Sequence, residues 1–171
     1  MIGDRVISQE LDKVQTTIIN VYRALFDESP SPMKLQKLCY YIQGYSLSEG
    51  VELFSEDFQA WQHGPVISDL YNKYRDYKWR QISEDVAESD ASLLGFITDI
   101  VSAYGRYDGA ALSTMTHRES PWLDARGDLD ESQGSTALIS KESMRVFFAA
   151  KLRAARLNAV VRFYSCGNPF F

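Results

Sequence analysis

Apolar residues recur three and four positions apart along most of the chain, the spacing of a helix with one buried face. Leu11, Val14, Ile18, Val21, Tyr22 and Leu25 follow it first and predict a helix over residues 8–26. Ser31-Pro32 then supplies an N-cap followed by a proline at the first helical position. The helix it opens carries Leu35, Leu38, Cys39, Ile42 and Tyr45 on one face, while Lys34, Lys37 and Tyr41 line up on another. Gly50 marks its end.

The period fails over residues 51–61, where Phe54, Phe58 and Trp61 stand among acids. An extended segment or short hairpin is predicted there. Gly64-Pro65 reads as a helix restart with Val66, Ile67, Leu70, Tyr71 and Tyr74 as its stripe. Ser89-Asp90 reads as the cap of a fourth helix lined by Leu93, Leu94, Ile97, Ile100, Val101 and Tyr104. After a glycine-rich break, residues 111–117 form a short helical piece, and Ser120-Pro121 starts another turn through Ala125. Residues 127–134 are polar and acidic and read as a loop. Ser140 caps a last long helix over residues 141–161, and Gly167 and Pro169 predict that residues 163–171 leave it. The fold class is therefore mainly all-α: a single-domain helical bundle with a small β or extended element near residues 51–61. Leu38, Ile42, Leu70, Ile97 and Val101 should be buried among at least five helices.

Charge divides this picture in two. The formal net charge is -5, yet from Lys141 onward six bases (Lys141, Arg145, Lys151, Arg153, Arg156, Arg162) face one acid, Glu142. Subtracting that +5 leaves -10 for residues 1–140. An acidic body argues against nucleic acid, whose affinity comes largely from phosphate neutralisation. The basic last helix reads either as a solvated face or as a docking segment for an acidic partner. No apolar run approaches the ~20 residues of a membrane span, and Met1-Ile2-Gly3-Asp4-Arg5 does not resemble a signal peptide. The two cysteines, Cys39 and Cys166, have no zinc-like spacing, Cys39 reading as a small hydrophobe. No metal or cofactor is expected, and a reducing cytoplasm is the expected location.

Both histidines stand in dense motifs. His63 follows Phe58-Gln59-Ala60-Trp61-Gln62 and precedes Gly64-Pro65-Val66. His117 follows Thr114-Met115-Thr116 and precedes Arg118-Glu119-Ser120-Pro121-Trp122. His63 reads as a turn residue bonding backbone, or as a partner contact. His117 ends a short helix, where the dipole favours an imidazolium that Glu119 could orient. Trp61 and Trp122 read as core or half-buried anchors. Lys34 and Lys37 beside Tyr41 read as a solvated pair, as partners of Glu119, or as contacts to an acidic surface. Ser113, Ser120 and Asp124 lie near His117 without a nucleophile signature, so no catalytic set is assigned.

Three co-linear blocks carry a family resemblance. The first runs from Ser31-Pro32 through Lys34, Lys37 and Tyr40-Tyr41 to Tyr45. The second is Phe54 with residues 58–66, running into Leu70-Tyr71. The third joins Tyr104-Gly105, Leu112-Ser113, Thr116-His117, Glu119 and Pro121-Trp122. In order and spacing the chain resembles the Panacea antitoxin domain, SocA-like and also described as phage-associated GepA-like. The likeness spans roughly residues 8–148 and leaves 149–171 as a basic helical extension and tail.

That resemblance implies an antitoxin of a bacterial or phage toxin–antitoxin pair, with a cognate toxin as partner. Direct neutralisation by protein binding is the leading expectation. The alternatives are an adaptor that delivers the toxin to a protease, with a protease or chaperone as further partner, and an enzyme using His117 and Glu119 to reverse a toxin's modification. The candidate partner-binding residues are Lys34, Lys37, Tyr41, Trp61, His63, His117, Glu119, Lys151, Arg153 and Arg156.

Overall fold

A computed structural model describes residues 6–166, with side chains in the last helix placed as far as Ala159. Helix α1, Gln9–Phe26, starts where Ser8 Oγ accepts the Leu11 amide at 3.1 Å. Helix α2, Pro32–Ser48, starts the same way on Ser31, with Pro32 at its first position and Gly50 just past its end in a left-handed conformation (φ 84°). Strands β1, Gln59–Trp61, and β2, Gly64–Val66, form an antiparallel hairpin. Helix α3 is Ser68–Tyr74, followed by a 3-10 turn at Arg75–Tyr77. Helices α4, Leu94–Tyr104, α5, Gly109–Thr116, and α6, Ser120–Arg126, follow, and α7, Lys141–Cys166, closes the fold. Among the described residues the fold is mainly α with one small antiparallel sheet.

Helix α2 is the centre. It packs on α1, α4 and α5 and, most extensively, on α7. Leu35, Leu38, Cys39, Tyr40, Tyr41 and Ile42 are all fully buried, together with Ile18, Leu70, Ile97 and Val101. The predicted core positions Leu38, Ile42, Leu70, Ile97 and Val101 are thus interior. Close approach of α7 to α2 depends on Gly44, where a Cβ would lie 2.1 Å from the Phe148 ring.

Several expected boundaries and faces move. Gly64-Pro65 opens β2, not a helix, and α3 begins only at Ser68. Pro65 is tolerated in a strand because its partner Ala60 turns its N–H the other way, to Ala137 O at 2.8 Å. No ladder bond is therefore lost to the missing proline donor. Gly64 sits at φ 102°, and a Cβ there would lie 2.6 Å from Thr116 Oγ1. Conformation and space both demand glycine. The fourth helix starts at Leu94 rather than at the Ser89-Asp90 cap, because Asp90 caps a local turn by accepting the Ser92 amide at 2.9 Å. Leu25, Tyr71 and Leu94, expected on buried stripes, are exposed by 41–45%. Each lies at the margin of its apolar face. Finally, α7 continues to Cys166, past the exit expected at residue 163, while residues 167–171 fall outside the described range. Among the described residues no helix is long and apolar enough to cross a membrane.

Candidate functional site

The face of α2 carrying Lys34, Lys37 and Tyr41 is not solvated. Lys34 Nζ donates to Tyr22 Oη at 2.7 Å and to the Gly105 carbonyl at 3.1 Å, and it sits over the Tyr22 ring. Lys37 is 1% exposed. Its ammonium donates to the Pro65 carbonyl at 3.1 Å. Burial without a paired carboxylate pulls its pKa from the ordinary lysine range down to about 7. The solvated reading of this pair is therefore wrong, because β2 brings the Pro65 carbonyl to Lys37 and the C-terminal end of α4 brings the Gly105 carbonyl to Lys34. Pairing with Glu119 is also ruled out for both lysines. Beside them, Gln36 receives the Ile67 amide at 2.8 Å and donates to the Ile67 carbonyl at 3.0 Å, fixing the start of α3.

Glu119 belongs to a second interior cluster. It stands at the N-cap of α6, yet its carboxylate makes no cap bond and turns inward. Oε1 accepts from Tyr41 Oη at 3.1 Å and from Lys151 Nζ at 3.1 Å. Burial raises the Glu119 pKa, and the Lys151 charge opposes that rise. Oε2 and the Tyr40 hydroxyl are both buried without a hydrogen-bond partner. Burial first, and then the nearby Glu119 charge, push the Tyr40 pKa up. Lys151 reaches this point from α7 through a ring of aromatics. Its ammonium is 5.3 Å from the Tyr41 ring centre, 5.7 Å from Tyr104, 5.5 Å from Phe147 and 5.9 Å from Phe148. Tyr41 stacks on Tyr104 at 4.0 Å, and the Tyr104 and Tyr45 hydroxyls are 2.6 Å apart. A half-exposed cation among aromatic faces beside a carboxylate is a latch holding α7 to the body.

The histidines part company from their expected roles. His117 caps α5, but its ring lies flat on Trp122 at 4.2 Å and 12°. Burial is the main cause lowering its pKa, which opposes the imidazolium that the helix dipole favours. Glu119, two residues on, does not orient it and points instead to Tyr41 and Lys151. Ser113 Oγ lies 3.5 Å from Nε2, and that hydroxyl donates to the His63 carbonyl at 2.7 Å. His63 does occupy a turn, but one between two strands, and it is the backbone carbonyl that bonds rather than the exposed ring. Trp61 is half-buried, donates to Gln59 Oε1 at 2.7 Å and meets Tyr71 edge-on. Its carbonyl accepts from the buried Trp122 indole at 2.9 Å. A cleft of about 490 Å³ opens between Trp61, His63 and Val66 on one side and residues 134–136 on the other.

The pattern gave no signal for Arg126, the residue that ties the acidic loop to the sheet. It donates to the carbonyls of Ala60, Asp130 and Gln133 and covers the Trp122 ring at 4.7 Å. Among the described residues no cluster of three His, Cys, Asp or Glu side chains could hold a metal ion.

The three blocks that suggested a resemblance thus form one structural unit: α2, the hairpin, and the α5–α6 corner with its inward Glu119. The sequence matches the family described as Antitoxin SocA-like, Panacea domain, over residues 35–123, just over half of the chain. The chain belongs to the SocA-like Panacea antitoxin family. Neither curated proteins nor solved structures give a match. Membership in the Panacea family gives a toxin–antitoxin role in general and a toxin as partner in general. Within the matched span the Panacea domain uses Lys37, Tyr41 and Glu119 inside itself. Lys151, from beyond the span, closes the same cluster. Along α7, the side chains from Arg153 to Ala159 are exposed. Arg153, Arg156 and Leu157 are exposed, Leu157 by 66%. Arg156 has only a 3.4 Å surface pair with Glu49. The further tail candidates Val160, Arg162 and Phe163 lie outside the described side chains.

Proposed function

We propose that this chain neutralises a cognate toxin by direct binding, and that the far half of α7 is the principal docking element. One observation carries this reading. The charged and aromatic residues of the α2 face and Glu119 are consumed by internal bonds, whereas α7 beyond Lys151 offers arginines beside an exposed leucine. Arginine is a favoured interface anchor, and apolar side chains beside it supply area. A stoichiometric inhibitor needs roughly 1,200–2,000 Å² of complementary surface and no catalytic group. The enzymatic alternative loses its premise, because His117 and Glu119 face different clusters.

The test is co-expression with the toxin, taken as the product of the neighbouring reading frame, in protease-competent and protease-deficient cells. Direct neutralisation gives growth rescue in both and a stable complex on a sizing column. Rescue confined to protease-competent cells would establish the adaptor reading instead. Truncation of α7 belongs after Lys151, so that the latch to Glu119 stays intact. That shortened chain should fold and lose the complex.

A further inference from the structure

The small sheet has two edges, and they differ. On the β2 side, the edge is closed by α2: Lys37 takes the Pro65 carbonyl, and Gln36 takes both the N–H and the carbonyl of Ile67. On the β1 side, an extended segment at residues 135–139 adds a third, irregular strand. Ala60 N–H donates to Ala137 O at 2.8 Å, Ile139 N–H donates to Phe58 O at 2.7 Å, and Gln59 pairs with Leu138. The Ala137 carbonyl and the Ile139 N–H thus bond β1, while the Ala137 N–H turns back to Ser135 Oγ at 3.1 Å. By the alternation of a strand, the N–H and C=O of Thr136 and Leu138 point the other way. Among the described residues nothing bonds them. Thr136, Ala137 and Leu138 are exposed, Leu138 by 61%.

We infer that this open edge binds an extended segment of the partner protein by strand addition, with the adjoining Trp61–His63–Val66 cleft receiving one of its large apolar side chains. This rests on the reading that the chain works by binding a toxin, and it names a second docking element on it. The chemistry selects the occupant. Donors and acceptors that alternate along a strand are met most fully by another backbone in extended form. One wall carries the Trp61 indole, the His63 imidazole and Val66, which suit an apolar or aromatic side chain, with Gln62, Ser135 and Thr136 as the polar part of the lining. Thr136 lines the cleft and also lies on the edge, so the two elements are continuous. The approach is negatively charged: residues 127–140 carry Asp128, Asp130 and Glu131 and no base except Arg126 just before them, whose guanidinium is turned inward onto three carbonyls. A segment with Lys or Arg flanking its apolar residue fits that field. It would engage a face distinct from the far half of α7, which lies some 17 residues, roughly 25 Å, along the helix from Ser140.

Proline tests the edge by removing its outward donors. In the variant Thr136→Pro/Leu138→Pro the two outward N–H groups vanish, while the inward bonds through Ala137 and Ile139 remain. The full-length wild-type chain is used to select peptides of about twelve residues from a displayed random library, enough to span a strand. Enriched peptides are expected to pair an aromatic or large aliphatic residue with flanking Lys or Arg. Their affinity for the double-proline chain should fall by about tenfold or more. Their binding to the wild type should slow amide exchange at Thr136 and Leu138, with Ile139 already slow in the free chain. The inference is overturned by no enrichment, by equal binding to the two chains, or by exchange at residues 136 and 138 that peptide does not change. It is also overturned if the wild type dimerises on a sizing column and the double variant does not, since the edge would then be taken by a second copy. Should the variant unfold, Thr136→Pro and Leu138→Pro are scored singly, along with amide exchange on the wild type. Peptide capture at the edge together with failure to form any toxin complex would leave this site standing and remove the direct-neutralisation reading.

Discussion

The α2 face and the far half of α7 look alike as sequence and are opposites in the fold. Each sets cations a few positions apart next to apolar or aromatic residues: Lys34, Lys37 and Tyr41 in one, Arg153, Arg156 and Leu157 in the other. On α2 the chain returns from several directions and delivers an acceptor to each cation. Tyr22 and Gly105 meet Lys34, and Pro65 meets Lys37. On α7 beyond Lys151, the one described pairing is a 3.4 Å contact from Arg156 to Glu49, with both side chains well exposed. The lesson is that a cation's role is set by what packs around it. Buried lysines hold this domain's interior, and solvated arginines remain available to a partner.

The strongest way to break that contrast is through Lys37. Its folded pKa is about 7, below the ordinary lysine value of 10.5. Between those two values the unfolded chain holds a proton that the folded chain has released, so stability rises with pH across that window. The folded state is most favoured above pH 10.5 and carries the full penalty below pH 7. From about pH 6.5 to about pH 9.5 this one group should change unfolding free energy by about 3 kcal/mol. Lys37→Met should remove that dependence and be more stable than the parent at the lower pH, by denaturant titration. Parallel pH profiles for the two proteins would mean that Lys37 is solvated, as its sequence neighbourhood suggests.

The latch sharpens the comparison at the point where the two regions meet. Lys151→Met leaves Glu119 buried with Tyr41 as its one donor. Leaving such a group short of partners costs about 1–3 kcal/mol. The Glu119 pKa is already raised by burial, and losing the Lys151 charge raises it further. A raised carboxyl pKa makes the folded state bind its proton more tightly. The variant's deficit should therefore be largest near neutral pH and shrink as pH falls through the folded pKa. Adding Glu119→Gln should recover part of the loss. Thermal melts at about pH 7 and about pH 5 would read both effects, and a deficit independent of pH would show that Lys151 acts through packing alone.

The contrast also explains what was legible in the chain. Helices α1 and α2 announce themselves because Ser8 and Ser31-Pro32 cap them locally and their apolar positions keep the helical period. The hairpin was half legible. Residues 51–61 lose the helical period, but Gly64-Pro65 carries the same local chemistry whether it starts a helix or a strand. Its choice is made by Ala60, whose donor faces Ala137 far along the chain. The burial of Lys37 depends on space left by Gly64 and a carbonyl from Pro65, 28 residues away. Sequence neighbours misled for His117 and Glu119. Residues two apart across a helix–helix corner face different sides, and Glu119 found its partners in Tyr41, 78 positions away, and Lys151. Caps and periods are local and readable, whereas ion partners and sheet edges are set by distant returns of the chain.

The smallest expected effect on stability is the one that matters most for function. Arg153→Glu/Arg156→Glu removes two exposed cations and a weak surface pair with Glu49. Surface substitutions of this kind stay within about 0.5 kcal/mol, so the melting temperature should hardly move. Association with an acidic toxin surface should behave differently. Exposed arginines steer an oppositely charged partner, so reversal should cut the association rate by about tenfold at low salt. Added salt should narrow the gap between the two proteins, because screening removes steering from the parent and repulsion from the variant. Leu157→Ala should act differently, raising the dissociation rate with little effect on association, since an exposed leucine adds contact area rather than field. Stopped-flow association at two salt concentrations separates these contributions. If charge reversal leaves both the rate and its salt dependence unchanged, the far half of α7 is not where the toxin docks, and the open sheet edge becomes the leading surface.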